Sequence, residues 1–110
     1  MNENVEIVVV NTTVDGEEKA AALAGTLVEQ KLAACVHHWQ IQSVYTWKGA
    51  IESEREIVLS AKTRKSLVAE IIECIKSHHG YDVPEIIVTP VIGGLRDYLE
   101  WVRSETRDPG

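Results

Sequence analysis

The stretch from Cys35 to Thr63 constrains the fold more than any other. In CVHHWQIQSVYTW, the residues Cys35, His37, Trp39, Ile41, Tyr45 and Trp47 fall on one parity, the period-two mark of a strand. Lys48-Gly49 supplies a turn, and IESEREIVLSAKT returns with Ile57, Leu59 and Ala61 on one parity. The whole stretch therefore reads as an antiparallel hairpin. Its strands run on the order of 12 residues, against a mean of about 5 to 6. Two helices do not cover that length, so Trp39, Tyr45 and Trp47 are expected along an exposed aromatic edge that pairs with another chain. A homo-oligomer is the expectation, and a hairpin curled onto its own helix is the alternative.

The flanking segments fix the order of elements. VEIVVVNTT, from Val5 to Thr13, is a β-branched run suited to a central strand covered on both faces. Asp15 and Glu18 have capping-box spacing, and Ala20, Leu23, Ala24, Leu27 and Val28 keep helical steps, which predicts a helix of about four to five turns. Val68, Ile71, Ile72 and Ile75 form the strongest helical stripe of the chain. PEIIVTPV is a strand bounded by prolines. Leu95, Tyr98, Leu99 and Val102 mark a short amphipathic helix, and SETRDPG, around residues 104–110, reads as a frayed polar tail. The order is β-α-β-β-α-β with an added C-terminal helix. It implies an α+β, ferredoxin-like sandwich with both main helices on one face, built as a single domain over residues 1–110.

Composition narrows the function classes. Seventeen acidic residues against eleven basic ones leave a net charge of -6, which opposes binding to phosphate backbones, so nucleic acid is not an expected partner. Cations or proteins suit the charge better. Apolar runs such as Ile7 to Val10 are far short of a membrane span, and MNENVE lacks the basic start and apolar core of a signal peptide. A cytoplasmic location is expected, in which Cys35 and Cys74 remain thiols.

Residues able to carry chemistry are few. In KSHHGYDVPEI, His78 and His79 close the second helix, with Cys74 four residues before His78 on the same helix face. Imidazole and thiolate together suit copper or zinc. The same residues also fit a helix end, since the macrodipole favours imidazolium there and a buried thiol acts as a small hydrophobe. Gly80 is expected to cap that helix in the left-handed conformation, with Pro84 ending the turn. His37 and His38 are strand neighbours on opposite faces and do not chelate one ion together, one being expected to pack and the other to be solvated. Glu52, Glu54 and Glu56 alternate on one face as a general-base pair, a cation-binding rim or a solvated surface. No nucleophile elbow, phosphate loop or zinc-finger spacing occurs, so enzymatic activity is not expected. Lys62, Tyr81 and Glu85 lie near element ends, where a ligand cleft would form, with Trp101 beside them.

The segments LVEQKLAACV, SVYTWKGAIE, AKT, KSHHGYDVPEIIVTPV and DYLEW, in that order and with matching gaps, resemble the CutA family of divalent-cation tolerance proteins. The resemblance runs from Val5 to about Arg103. It implies a ferredoxin-like subunit assembled into a tight homotrimer, with long hairpins joining sheets between subunits as in the PII signalling proteins. It further implies a role in metal tolerance, with His78 and His79 at the positions of the family's copper proposal. The family's third copper ligand, a cysteine, falls here at Asn11, so the soft donor is missing. Proline is usual where Gly80 stands. Two functions follow as expectations. One is a metal-tolerance trimer that binds copper weakly. The other is a PII-like scaffold that binds a metabolite or partner protein near Lys62, Tyr81 and Glu85.

Overall fold

The structure is a computed structural model that describes residues 6–109. The run of β-branched residues forms β1 (Ile7–Val14), and its expected start at Val5 lies outside the described residues. Next come α1 (Glu17–Glu29), β2 (Cys35–Trp47) and β3 (Ala50–Arg64), then one 3-10 turn at Lys65–Leu67 that leads into α2 (Val68–Ser77). The chain continues through β4 (Ile86–Pro90) and α3 (Arg96–Ser104). The sheet order is β2-β3-β1-β4 and every pairing is antiparallel, as the βαββαβ reading requires.

The core lies on one face of this sheet. Val8, Val10 and Val14 of β1 share a parity with Ile57, Leu59 and Ala61 of β3, and all six are buried against Ala20, Leu23 and Leu27 of α1 and Ile71 and Ile75 of α2. Burying each large aliphatic contributes about 1.5 to 3 kcal/mol. The opposite face is only partly covered: α3 packs on it near Cys35 and the end of β3, with Val102 fully buried. Tyr98, Trp101 and Leu95 remain exposed around that helix.

Lys48 (φ 51°) and Gly49 (φ 82°) are both left-handed, the geometry of a two-residue hairpin turn whose twist matches its strands. Every β2 residue pairs with β3, from Cys35 opposite Lys62 to Trp47 opposite Ala50. The pairing of β1 with β3 stops at Val14 opposite Ile57. Residues 50–56 and their partners therefore run about 24 Å past the rest of the sheet, and the molecule measures 49 × 25 × 20 Å. The hairpin extends straight rather than curling onto a helix. Tyr45 and Trp47 stand on the projecting part, whereas Trp39, opposite Val58, stands in the four-stranded body.

Three local expectations are corrected. Capping-box spacing predicts Asp15 at the start of α1, but the cap is Gly16, with no side-chain cap bond. The Asp15 carboxylate instead takes a 2.9 Å ion pair with Lys19, and that hydrogen bond holds its pKa below the usual range. The helix itself runs 13 residues, under four turns, because Lys31 turns left-handed (φ 58°) and directs Leu32 and Ala33 back onto the Leu27 carbonyl. Finally, Thr106 to Asp108 of the tail are bonded to the body of the domain. Arg64 donates to Thr106 Oγ1 at 3.0 Å, to the Thr106 carbonyl at 2.6 Å and to Asp108 at 3.1 Å, while the Arg107 amide bonds the Lys31 carbonyl.

Candidate functional site

The loop between α2 and β4 faces the root of the projecting hairpin, and the two enclose an open groove of about 770 Å³. Ser43, Val44, Tyr45 and Trp47 of β2, Glu52, Glu54 and Glu56 of β3, Thr13 of β1 and Gly80 to Val83 with Glu85 of the loop line it. Strand alternation places Glu52, Glu54 and Glu56 on one face of β3, with Tyr45 directly across from Glu52. Glu56 is only 7% exposed.

Tyr81 joins the two walls. Its phenol donates to Glu56 Oε2 at 2.9 Å, and burial together with that carboxylate pushes the phenol pKa well above the ordinary tyrosine value. The Tyr81 ring also packs on the His79 ring at 4.6 Å between centroids. Tyr45 is raised by a hydrogen bond with Glu54, so the groove acts on both phenols as a negative environment.

The two imidazoles expected at a metal site do different work. His79 Nε2 bonds the Thr13 carbonyl at 2.5 Å, which makes it the protonated nitrogen, and Nδ1 accepts from the Tyr81 amide at 3.2 Å. Both of its nitrogens are committed, one to β1 and one to its own loop. His78 Nδ1 lies 2.8 Å from the Cys74 carbonyl, to which it donates, and 3.1 Å from Ser77 Oγ, which leaves Nε2 as its lone-pair nitrogen. The Cys74 thiol is 3.9 Å from His78 Nδ1, packs against the core and has its pKa raised by that burial. Asn11 sits on β1 opposite Ser60 and Ile87, away from the helical face. Among the described residues no group of three or more His, Cys, Asp or Glu is placed to hold a metal ion.

Of the expected cleft residues, the structure brings Tyr81 and Glu85 to one groove and leaves Lys62 outside it. Lys62 lies six residues, about 20 Å, along β3 from Glu56, and its ammonium donates to His37 Nδ1 at 2.9 Å. Trp101 belongs to the α3 side, against Tyr98 at 5.6 Å. His37 and His38 do take opposite faces, but both are exposed, His38 lying 3.6 Å from Glu17. Gly80 is not left-handed; α2 ends at His78 with φ −107°, so no glycine is needed there. The Tyr81–Glu56 bond and the groove it closes have no signature in spacing, since the partners stand 25 residues apart.

Comparison with known proteins agrees with this architecture. The family described as CutA1 divalent ion tolerance protein matches residues 8–105. The chain is similar to a chloroplastic CutA 1 protein of Oryza sativa subsp. japonica, 44% identical over 105 residues, covering 94% of this chain and 59% of that protein. It is similar to the divalent-cation tolerance protein CutA of Thermus thermophilus, 40% identical over 99 residues, covering 89% of this chain and 96% of that protein. The crystal structure of CutA1 from Oryza sativa superposes with a TM-score of 0.91 at 44% identity, covering 94% of this chain and 95% of that one. The chain spans about three-fifths of the length of the plant relatives it matches. No helix among the described residues is long and apolar enough to cross a membrane.

Proposed function

The chain belongs to the CutA1 family of divalent ion tolerance proteins, and on that premise we propose that it acts in the response to divalent metal ions as a non-enzymatic homotrimer that binds copper weakly. One observation carries the metal reading: of the paired histidines, His79 has both nitrogens engaged, while His78 keeps Nε2 open on an exposed side chain. A single imidazole is a weak anchor, and copper stands highest among divalent ions for such a donor. Calorimetry with Cu(II) tests it. The expected result is loss of binding in His78→Asn and retention in His79→Asn, which instead lowers the unfolding midpoint. Equal copper binding by wild type and His78→Asn refutes the assignment.

The free edges of β2 and β4 support the trimer. Alternate residues along the 13-residue β2 present backbone groups on its outer side, the arrangement that invites a strand from another chain. Trp39, Tyr45 and Trp47 share one face of β2 and are exposed in the single subunit, where a partner chain would cover them. Light scattering decides: about three times the 12.2 kDa subunit mass supports closed cyclic assembly, and 12.2 kDa refutes it.

The groove favours a second reading, a PII-like scaffold that binds a small ligand beside Tyr81 and Glu85. Its volume falls in the range of small-molecule sites. Thermal shift against a metabolite panel tests it, since a ligand at 100 times its Kd adds about 2.7 kcal/mol. The absence of any stabilising ligand refutes it.

A further inference from the structure

Helix α3 is held to the domain less by apolar burial than by its two ends. Helix α1 buries Ala20, Leu23 and Leu27 and α2 buries Ile71 and Ile75, whereas α3 buries Val102 alone. The Val91 amide makes the last backbone bond to the sheet, 3.0 Å from the Ile7 carbonyl. Among the described residues, the next backbone bond to another element is that of the Arg107 amide to the Lys31 carbonyl, at 2.9 Å. Between these two points the backbone bonds only to itself.

The two ends differ in kind. Gly93 and Gly94 join β4 to α3, and a side chain at Gly93 would meet nothing within 4 Å, so this end is free to absorb a rotation of the backbone. The other end is closed by side chains. Arg64 of β3 donates to Thr106 Oγ1, to the Thr106 carbonyl and to Asp108, while Thr106 Oγ1 donates to the Val102 carbonyl at 2.9 Å. Arg107 pairs with Glu70 of α2 at 2.9 Å. Because Thr106 is buried and the Arg64 side chain nearly so, these charge-assisted bonds form a clip that water weakens little.

Beneath the helix, Tyr98 is in hydrogen-bonding contact with the Cys35 thiol. Cys35 opens β2, about 13 Å along the strand from Trp39, and α3 covers that end of the sheet face from within the subunit. We propose that α3 and residues 105–108 form a strap that leaves the sheet as one unit, hinged at Gly93-Gly94 and clipped by Arg64, and that its opening controls access to the Cys35 thiol. Segments that withdraw few buried apolar side chains open at a lower free energy than the whole domain. Once the clip is released, α3 has Val102 to withdraw.

Alkylation of the full chain by iodoacetamide in its solution assembly, followed at each cysteine by peptide mass spectrometry, tests the proposal. Cys74 of α2 is the internal reference, and hydrogen exchange of the α3 amides is measured on the same samples. Arg64→Ala removes the clip, and Thr106→Val removes its hydroxyl bonds while keeping Arg64 and the side-chain shape. Each is expected to speed Cys35 alkylation by about tenfold or more, or about 1.4 kcal/mol of opening free energy, with α3 exchange accelerated alike and Cys74 unchanged. Lys65→Gln removes the neighbouring charge, leaves the clip intact and is expected to behave as wild type. If Arg64→Ala does not fold, Thr106→Val decides. Three results overturn the strap: an unchanged Cys35 rate in Thr106→Val, equal acceleration at Cys74, which means global opening, or faster Cys35 alkylation with unchanged α3 exchange, which means another route to the thiol.

Discussion

The Tyr81 phenol hydrogen-bonds Glu56 at 2.9 Å and so ties the loop after α2 to the last β3 residue before β1 pairing begins. Tyr81→Phe removes the donor while keeping the ring on His79, and it leaves a nine-tenths-buried carboxylate without its bond. Stability should fall by about 1 to 3 kcal/mol, read by chemical denaturation. In a double-mutant cycle with Glu56→Gln the two losses should be clearly non-additive. Additive losses would mean the bond contributes nothing of its own.

Alkaline titration reports the same environment. Tyr45, Tyr81 and Tyr98 are the only tyrosines of the chain, and all three have raised pKa values: Tyr45 through Glu54, Tyr81 through burial and Glu56, and Tyr98 through burial beside Cys35. A raised pKa means the folded state holds its protons longer. The contribution to stability is complete below about pH 10, the unfolded value, and is lost as pH climbs through the folded values. Phenolate absorbance of the native protein should therefore rise at higher pH than in denaturant. Coincident curves would refute the shifts.

Arg64 holds the C-terminal segment through two bonds to Thr106 and one to Asp108. Its side chain is largely buried, so Arg64→Ala should cost about 1.5 to 3 kcal/mol and speed proteolysis after Ser104. Unchanged cleavage would show that the Arg107 amide bond to Lys31 suffices to hold the segment.

Thr12 faces the core between Leu59 and Ile86, 1% exposed, and its hydroxyl has no hydrogen-bond partner among the described residues. Thr12→Val keeps the shape and removes the desolvated group. Stability should rise by about 1 kcal/mol, as a shift in denaturation midpoint at constant slope. A loss would reveal a partner for that oxygen.

Lys31 is left-handed at the end of α1, where a side chain is strained. Lys31→Gly should raise stability by about 0.5 to 1 kcal/mol by thermal melts. No gain would mean that the lysine side chain compensates for the strain.

Legibility in the sequence followed range. The strand parities of the hairpin and the stripe of α2 are repeated local signals, and Ile57, Leu59, Ala61, Ile71 and Ile75 all point inward as their spacing predicts. The Arg64–Thr106 clamp and the Tyr81–Glu56 bond join residues 42 and 25 apart, and no periodicity encodes such pairs. His78 and His79 illustrate the limit at a site. Adjacency in sequence suggested joint chelation, yet one ring turns back on its own helix and the other reaches across to β1. Lys62 failed as a cleft residue for a similar reason, since nearness to an element end does not say which end of the molecule it occupies.

The projecting hairpin gives the subunit two scales of local stability. Near Lys48-Gly49 only two strands hydrogen-bond, far from Leu59, Ile71 and the other fully buried side chains, so amides there are expected to exchange through small openings that peel from the tip. Exchange should slow stepwise toward Ile57, where a third strand joins. An assembly that clamps the tip would erase this gradient, so hydrogen exchange along β2 would register association at the residues that make it.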